Sequence, residues 1–200
     1  VAIVGESGSG KSVSIKSIMG ILPKNAIIES GEILYDGMDL TKIKEEDFHK
    51  IRGHRIGLIF QDPLSALNPI MKVGKQITEV LRLSKKMSKE DAYKRALELM
   101  ESVGIPDAKR RINQYPFQFS GGMRQGVVIA IALAGEPEIL ICDEPTTALD
   151  VTVQAKILEL INKIKEERNL SVIFITHDLG VVANIADRVN VMYAGKIVEK

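Results

Sequence analysis

The segment that most restricts what this chain can fold into lies at its start. Val1-Ala2-Ile3-Val4 is a short apolar run rich in β-branched residues, and Gly5-Glu6-Ser7-Gly8-Ser9-Gly10-Lys11-Ser12 follows directly. The run reads as a buried strand. The eight residues after it match G-x-x-x-x-G-K-[ST], and Val13, Ile15, Ile18 and Met19 then suit one face of a helix. Strand, glycine loop and helix in that order are the context in which this pattern binds phosphate. Gly5, Gly8 and Gly10 admit backbone conformations closed to residues that carry a Cβ. Loop N–H groups can then converge on phosphate oxygens at a helix N-terminus, where the dipole favours an anion. Lys11 is expected to reach the β- and γ-phosphates of a nucleotide, and Ser12 to ligate Mg2+.

Beyond this loop the pattern alternates. Gly31 to Gly37 reads as a strand closed by an Asp36-Gly37 turn, and Ile56 to Phe60 as a second apolar strand. Helical spacing then takes over. Val73, Ile77, Val80 and Leu81 share a face, and Ser88 with Asp91 resembles a capping box for a helix that carries Ala92, Ala96, Leu99, Met100 and Val103 and stops at Gly104. Strand spacing returns at Ile139–Ile141. A helix is predicted over Val151–Arg168, with Val153, Ile157, Leu160, Ile161 and Ile164 on one face. A strand at Val172–Ile175, a short helix at Leu179–Ala186 and a strand at Val189–Tyr193 follow. Strands alternating with helices imply an α/β fold with a mostly parallel sheet. The single domain, residues 1–200, is therefore expected to have a core at 1–63 and 135–200, interrupted by a helical subdomain at 64–134.

Charge and composition narrow the partners. Lys plus Arg is 27 against 26 for Asp plus Glu, a net charge of +1, so no nucleic-acid footprint is present. The cluster Lys109-Arg110-Arg111 is short, lacks interleaved aromatics and reads as a solvated turn. Cys142 is the only cysteine, which rules out an internal disulfide and suits a reducing compartment; its apolar neighbours make it a small buried hydrophobe. Val127 to Ala134, the longest apolar stretch, is far short of the ~20 residues that span a bilayer. Any membrane role therefore runs through a partner. His49 and His54 have no context that gives them a role, and no His/Cys cluster has metal-site spacing.

Four further segments carry chemistry. Asp143 and Glu144 end an apolar strand, and ligand sites in parallel sheets lie beyond the carboxyl ends of the strands. Asp143 is thus expected in the Mg2+ shell beside Ser12, and Glu144 is expected to polarise the attacking water. His177 follows another strand directly, where it can bond a γ-phosphate and hold the geometry of water and Glu144. Gln61 stands where the core passes into the helical insert, placed to contact Mg2+ or water. Ser120-Gly121-Gly122 opens a helix, with Ser120 as its cap and bare N–H groups on the glycines. One nucleotide needs one phosphate loop, so this second anion site is free to serve a nucleotide held by another subunit.

Together these segments resemble the ATP-binding-cassette (ABC) ATPases, in order and spacing over nearly the whole chain. Gly5, Glu6, Ser7, Gly8, Ser9, Gly10, Lys11, Ser12 and the adjoining Val13 look like the Walker A loop, and Gln61 the Q-loop. Ser120–Gln125 looks like the signature, Ile139–Glu144 Walker B, Ala148-Leu149-Asp150 the D-loop and His177 the switch histidine. Gln61-Asp62-Pro63-Leu64-Ser65-Ala66-Leu67-Asn68-Pro69 is similar to the ATPase subunits of oligopeptide and dipeptide importers. Nickel importers of the same group share it. The resemblance implies a P-loop NTPase (RecA-like) core with ATP and Mg2+ as cofactors and Glu144, His177 and Gln61 as catalytic residues. Ser12, Gln61 and Asp143 would lie at the metal. Ser120, Gly121, Gly122 and Asp150 would act on nucleotide across a head-to-tail dimer of identical or related chains. It also implies a transmembrane permease, an extracytoplasmic solute-binding protein and a place on the cytoplasmic face of a prokaryotic membrane. A soluble ABC ATPase of repair or translation is the alternative in another class, and a regulator that does not hydrolyse ATP is a third; Glu144 and His177 argue against the last. The chain departs from the family's pattern in three places. An N-terminal β segment with the aromatic that stacks on adenine is expected ahead of Val1. Gly126 replaces the usual Arg, and Phe117-Gln118 replaces His-Glu.

Overall fold

A computed structural model describes residues 1–147 and 149–200; Ala148, the first residue of the expected D-loop, lies outside the described residues. The chain runs through β1 (Ala2–Val4), α1 (Lys11–Ile18), β2 (Leu34–Tyr35), β3 (Met38–Asp39), α2 (Glu45–Ile51) and β4 (Ile56–Ile59). The helices α3 (Pro63–Ala66), α4 (Val73–Lys85), α5 (Lys89–Ser102) and α6 (Ala108–Arg111) follow. A 3-10 turn at Pro116–Gln118 leads into α7 (Gly121–Ala134). The chain ends with β5 (Ile139–Asp143), α8 (Val151–Glu167), β6 (Ser171–Thr176), α9 (Leu179–Ile185), β7 (Val189–Tyr193) and β8 (Lys196–Glu199). The chain divides into two compact units, Val1–Arg52 with Ile173–Lys200, and Gly53–Val172. Among the described residues, no helix is long and apolar enough to cross a membrane.

In the first unit β1 runs parallel to both β6 and β7, with Val4 opposite Thr176 and Val191. The antiparallel β8 pairs with β7. Ala2 and Val4 are buried and pack on Val182 of α9, with Ala186, Val189 and Val191 around them. In α1, Ile15 and Met19 are buried, but Val13 is 58% exposed. The shared face expected for Val13 is therefore corrected, because residues two apart on a helix, as Val13 and Ile15 are, point in different directions. The strand expected over 31–37 is shorter and belongs to the β2–β3 hairpin. Its Asp36-Gly37 turn holds φ at 49° and 77°, the pair of positive values that a type I′ turn requires. Two elements were not legible from spacing: β8, all of whose residues are exposed, and α2, which buries only Phe48 and Ile51. Arg52 fastens α2 by donating to the carbonyls of Met19 (2.6 Å) and Gly20 (2.7 Å), with its guanidinium 4.5 Å from the Phe48 ring centroid.

In the second unit β4 and β5 are parallel, paired from Ile56 opposite Ile139 to Ile59 opposite Cys142. Helix α7 is apolar on nearly every side and packs against α3, α4, α5, α8 and β4, which makes it the centre of this unit. The expected caps are present: Ser88 Oγ accepts from the Asp91 N–H, and Gly104 ends the following helix at φ 76°. Helix α8 buries Ile157, Ile161 and Ile164, as its spacing predicted.

Two predictions follow from this packing. Gly126 lies within α7, buried, and a Cβ built there meets only ordinary contacts, with Val103 O at 3.4 Å and Ile105 Cγ1 at 3.7 Å. Ala therefore fits where Gly loses backbone entropy on folding, and Gly126→Ala is expected to stabilise the chain by ~0.5–1 kcal/mol. A fall in the thermal midpoint of this variant would show that the Val103 turn needs the bare backbone. Cys142 is fully buried in β5, and burial pushes its thiol well above the ordinary range. A maleimide is expected to leave the native protein unlabelled near neutral pH and to label it once urea unfolds it, which mass spectrometry reads directly.

Candidate nucleotide site

The register of β1 decides the placement of the phosphate loop in the first unit. Because Val4 stands opposite Thr176, the chain leaves β1 through Gly5 and β6 through His177 at one edge of the sheet. Gly5 is obligatory there: a Cβ would fall 2.2 Å from the main-chain oxygen of Met192. The loop then turns through Gly8 (φ 80°) and Gly10 (φ 104°) into α1. Gly10 caps α1 in a left-handed conformation and, being glycine, places no capping side chain over the start of the helix. Such a start is a cradle for anionic oxygens. The Lys11 side chain is nearly buried, and its ammonium spans the loop, donating to the carbonyls of Gly5 (2.7 Å) and Glu6 (2.9 Å). The turn between β7 and β8 braces the loop from behind, with the Gly195 N–H donating to Ser9 O at 2.9 Å. Ser12 stands in the first turn of α1 and is partly exposed, while Glu6, Ser7 and His177 are exposed. The first unit thus places the loop, Lys11, Ser12 and His177 at one edge of its sheet.

The second unit repeats the device by itself. Ile59 opposite Cys142 brings the ends of β4 and β5 level. Asp143 is the last residue of β5 and is 8% exposed; Glu144 follows with φ 46°, a left-handed value. That conformation is uncommon for a residue with a side chain, and more so before a proline such as Pro145. It turns Glu144 sharply out of the strand. Its carboxylate Oε2 accepts from the Thr147 hydroxyl at 2.9 Å and from the Gln61 Nε2–H at 3.3 Å. The structure therefore joins Gln61 to Glu144. Sequence reasoning missed Thr147, although its spacing three residues after Glu144 is the signal for such a contact. Asp62, next to Gln61, caps α3 by accepting from the N–H groups of Leu64 and Ser65.

The signature segment is in the second unit too. Ser120 Oγ accepts from the Met123 N–H at 3.4 Å and caps α7, as expected. Gly122 needs its bare backbone, since a Cβ would come within 2.5 Å of Val153 in α8. Arg124, for which the sequence offered no signal, donates to the carbonyls of Pro116 (2.9 Å) and Phe117 (3.3 Å) and ties α7 to the 3-10 turn before it. Asp150, expected at the nucleotide, caps α8 by accepting from the Val153 N–H at 3.0 Å.

Comparison with known proteins bears on family and fold. The profile of the family described as ABC transporter matches residues 1–147. Over all 200 residues the chain is 62% identical to the Dipeptide transport ATP-binding protein DppD of Lactococcus lactis subsp. cremoris (strain MG1363), and it covers 57% of that protein. It is equally 62% identical over 200 residues to the Oligopeptide transport ATP-binding protein OppD of Bacillus subtilis (strain 168), covering 56% of it. The chain thus spans little more than half the length of these relatives. Among solved structures, the ATP-binding cassette MJ0796, a dimer in a post-hydrolysis state bound to ADP and Pi, matches with a TM-score of 0.86 and 32% identity. That match covers 99% of this chain and 82% of the other. With the family profile matching residues 1–147, well over half of its length, the chain belongs to the ABC transporter family.

Proposed function

We propose that this chain is the ATP-binding and ATP-hydrolysing part of a peptide importer. The observation that carries the reading is 62% identity across every residue of the chain to both a dipeptide and an oligopeptide transport ATP-binding protein. The chain has its nucleotide-binding core at 1–63 and 135–200 and its helical subdomain at 64–134. It works on the cytoplasmic face of a membrane, against a permease fed by an extracytoplasmic solute-binding protein. It pairs head to tail with a second cassette, identical or related, whose nucleotide meets Ser120, Gly121, Gly122 and Asp150 of this chain.

Each residue of the site has a task in this reaction. The N–H groups of the loop from Gly5 to Ser12, with Val13 behind them in α1, hold the phosphates, and Lys11 exchanges its loop carbonyls for β- and γ-phosphate oxygens. Ser12 and Asp143 supply oxygen donors to Mg2+, with Gln61 close to its shell. When bound, Mg2+ offsets negative charge on the β- and γ-phosphates. Glu144 takes the proton of the attacking water, and Gln61 and Thr147 fix the direction of its carboxylate. His177 donates to a γ-phosphate oxygen. Phosphoryl transfer passes through a loose transition state, so catalysis here is mostly position and charge.

Glu144→Gln keeps shape and removes the base. It is expected to leave ATP binding intact and to lower hydrolysis by about a hundredfold or more. Cells carrying this variant in the whole importer are expected to lose uptake of a labelled tripeptide while uptake of free amino acids continues. Near-normal turnover would overturn the role of Glu144. Unimpaired peptide uptake alongside lost turnover would overturn the substrate class.

Lys11→Ala acts earlier, on binding. The lost cation serves the terminal phosphates, so ATP affinity is expected to fall by about tenfold or more while AMP affinity changes little, charge-assisted contacts being the strong ones. Calorimetric titration with both nucleotides reads the difference, and equal losses would place Lys11 away from the β- and γ-phosphates.

A further inference from the structure

Gln125 is the least explained side chain in the second unit. It is 0% exposed, and neither its Nε2 nor its Oε1 has a hydrogen-bond partner among the described residues. A carboxamide brings two donors and two acceptors, and leaving them dry and unpaired is costly. Packing alone does not call for it, since Met fills a similar volume with no polar group to desolvate. The helix gives the direction of the side chain. Gly121 stands one turn before Gln125 on the same face of α7, and a Cβ at Gly121 would lie 3.5 Å from Leu149 Cδ2. Long side chains on a helix lean toward its N-terminus. Gln125 therefore leans over the bare Gly121 toward the turn that ends at Leu149. That turn begins at Glu144: the Thr147 N–H donates to Glu144 O at 3.3 Å, and the Leu149 N–H donates to Thr146 O at 3.1 Å.

We infer that Gln125 is a positioning residue for hydrolysis, whose buried amide receives main-chain groups of the Glu144–Leu149 turn when nucleotide is bound and so holds Glu144 in its working place. The inference rests on the ATPase reading above. In the resting fold the amide has nothing to hold; in the nucleotide-bound state it gains partners, so its contribution falls on the catalytic step rather than on folding or ATP affinity. Gln125 also joins the two parts of the site in this unit, since it sits on the helix that Ser120 opens.

The test is Gln125→Met in the purified protein, read by three measurements. The nucleotide-free thermal midpoint is expected to stay or rise, because an unpaired polar group has been removed. ATP affinity is expected to change by less than about threefold and kcat to fall by about tenfold, the size of one or two lost hydrogen bonds. With a non-hydrolysable ATP analogue, hydrogen exchange at the Thr147 and Leu149 amides is expected to be slower in the wild type than in the variant. Unchanged kcat with unchanged exchange would overturn the inference. So would a variant that melts lower or fails to fold, because the amide would then already have a partner in the resting fold. If the wild type itself does not hydrolyse ATP, the ATPase reading fails first, and the two failures are distinct.

Discussion

Parallel pairing of β1 with β6 and β7 sets every position in the phosphate half of the site. Val4 opposite Thr176 aligns the exits of two strands, so the loop at Gly5 and the histidine at position 177 start from one edge. The register has no freedom to slip, because a shift by one residue would turn Ala2 and Val4 out of their contact with Val182. Gly5 fixes the same register independently, since a Cβ there would fall 2.2 Å from Met192 O and no other residue fits. Once that strand end is fixed, the remainder of the loop follows: the left-handed turn at Gly10 starts α1, and the Gly195–Ser9 hydrogen bond closes the loop from the far side.

The acidic half of the site depends on strain held by a rigid support. A glutamate at φ 46° ahead of a proline is unfavourable by itself, and such conformations persist only where the surroundings over-determine them. Here the surroundings are Leu140, Ile141 and Cys142, all fully buried, on one side of Glu144. On the other side is a turn closed by main-chain bonds to Glu144 and Thr146 oxygens. The result is a carboxylate that leaves the strand sharply and meets Thr147 and Gln61. Gln61 follows the end of the neighbouring strand, so the same parallel pairing that buries β5 also supplies a partner for Glu144.

Much of this was legible in the sequence, and the parts that were not have physical reasons. Strands and helices that bury a face were found, because burial imposes a period: β7, α5 and α8 are in place, with ends shifted by a residue at most. The α/β class followed from the alternation of strand and helix patterns, and the loop–helix start from the glycine spacing. Strand β8 was missed because all its residues are exposed and leave no inside–outside pattern. Helix α2 was missed because it is held by an arginine to main-chain oxygens and by one aromatic ring rather than by an apolar stripe. Val13 was misplaced because four apolar residues in seven, Val13 to Met19, read as one face, when Val13 and Ile15 point in different directions. In the site, residue identities were readable but their partners were not. Nothing in the spacing links Gln61 to Glu144, 83 residues away.

Helix α7 shows how one element answers two demands that conflict. Its body must fill the centre of the second unit, and nine of its fourteen residues are buried. Its start must stay bare, with Ser120 and Gly121 exposed and Gly122 close against Val153. Two adjacent glycines, Gly121 and Gly122, weaken the helix at its exposed start, so intrinsic propensity does not keep the first turn formed. The structure supplies the difference from outside the helix: the Ser120 cap, and the Arg124 side chain, which binds the first turn to the carbonyls of Pro116 and Phe117. A close-packed interior does not deform gradually. A load at the bare start is therefore carried along a rod already packed against α3, α4, α5, α8 and β4. The helix that presents its N–H groups at the surface is thereby the one least able to move without moving the rest of its unit.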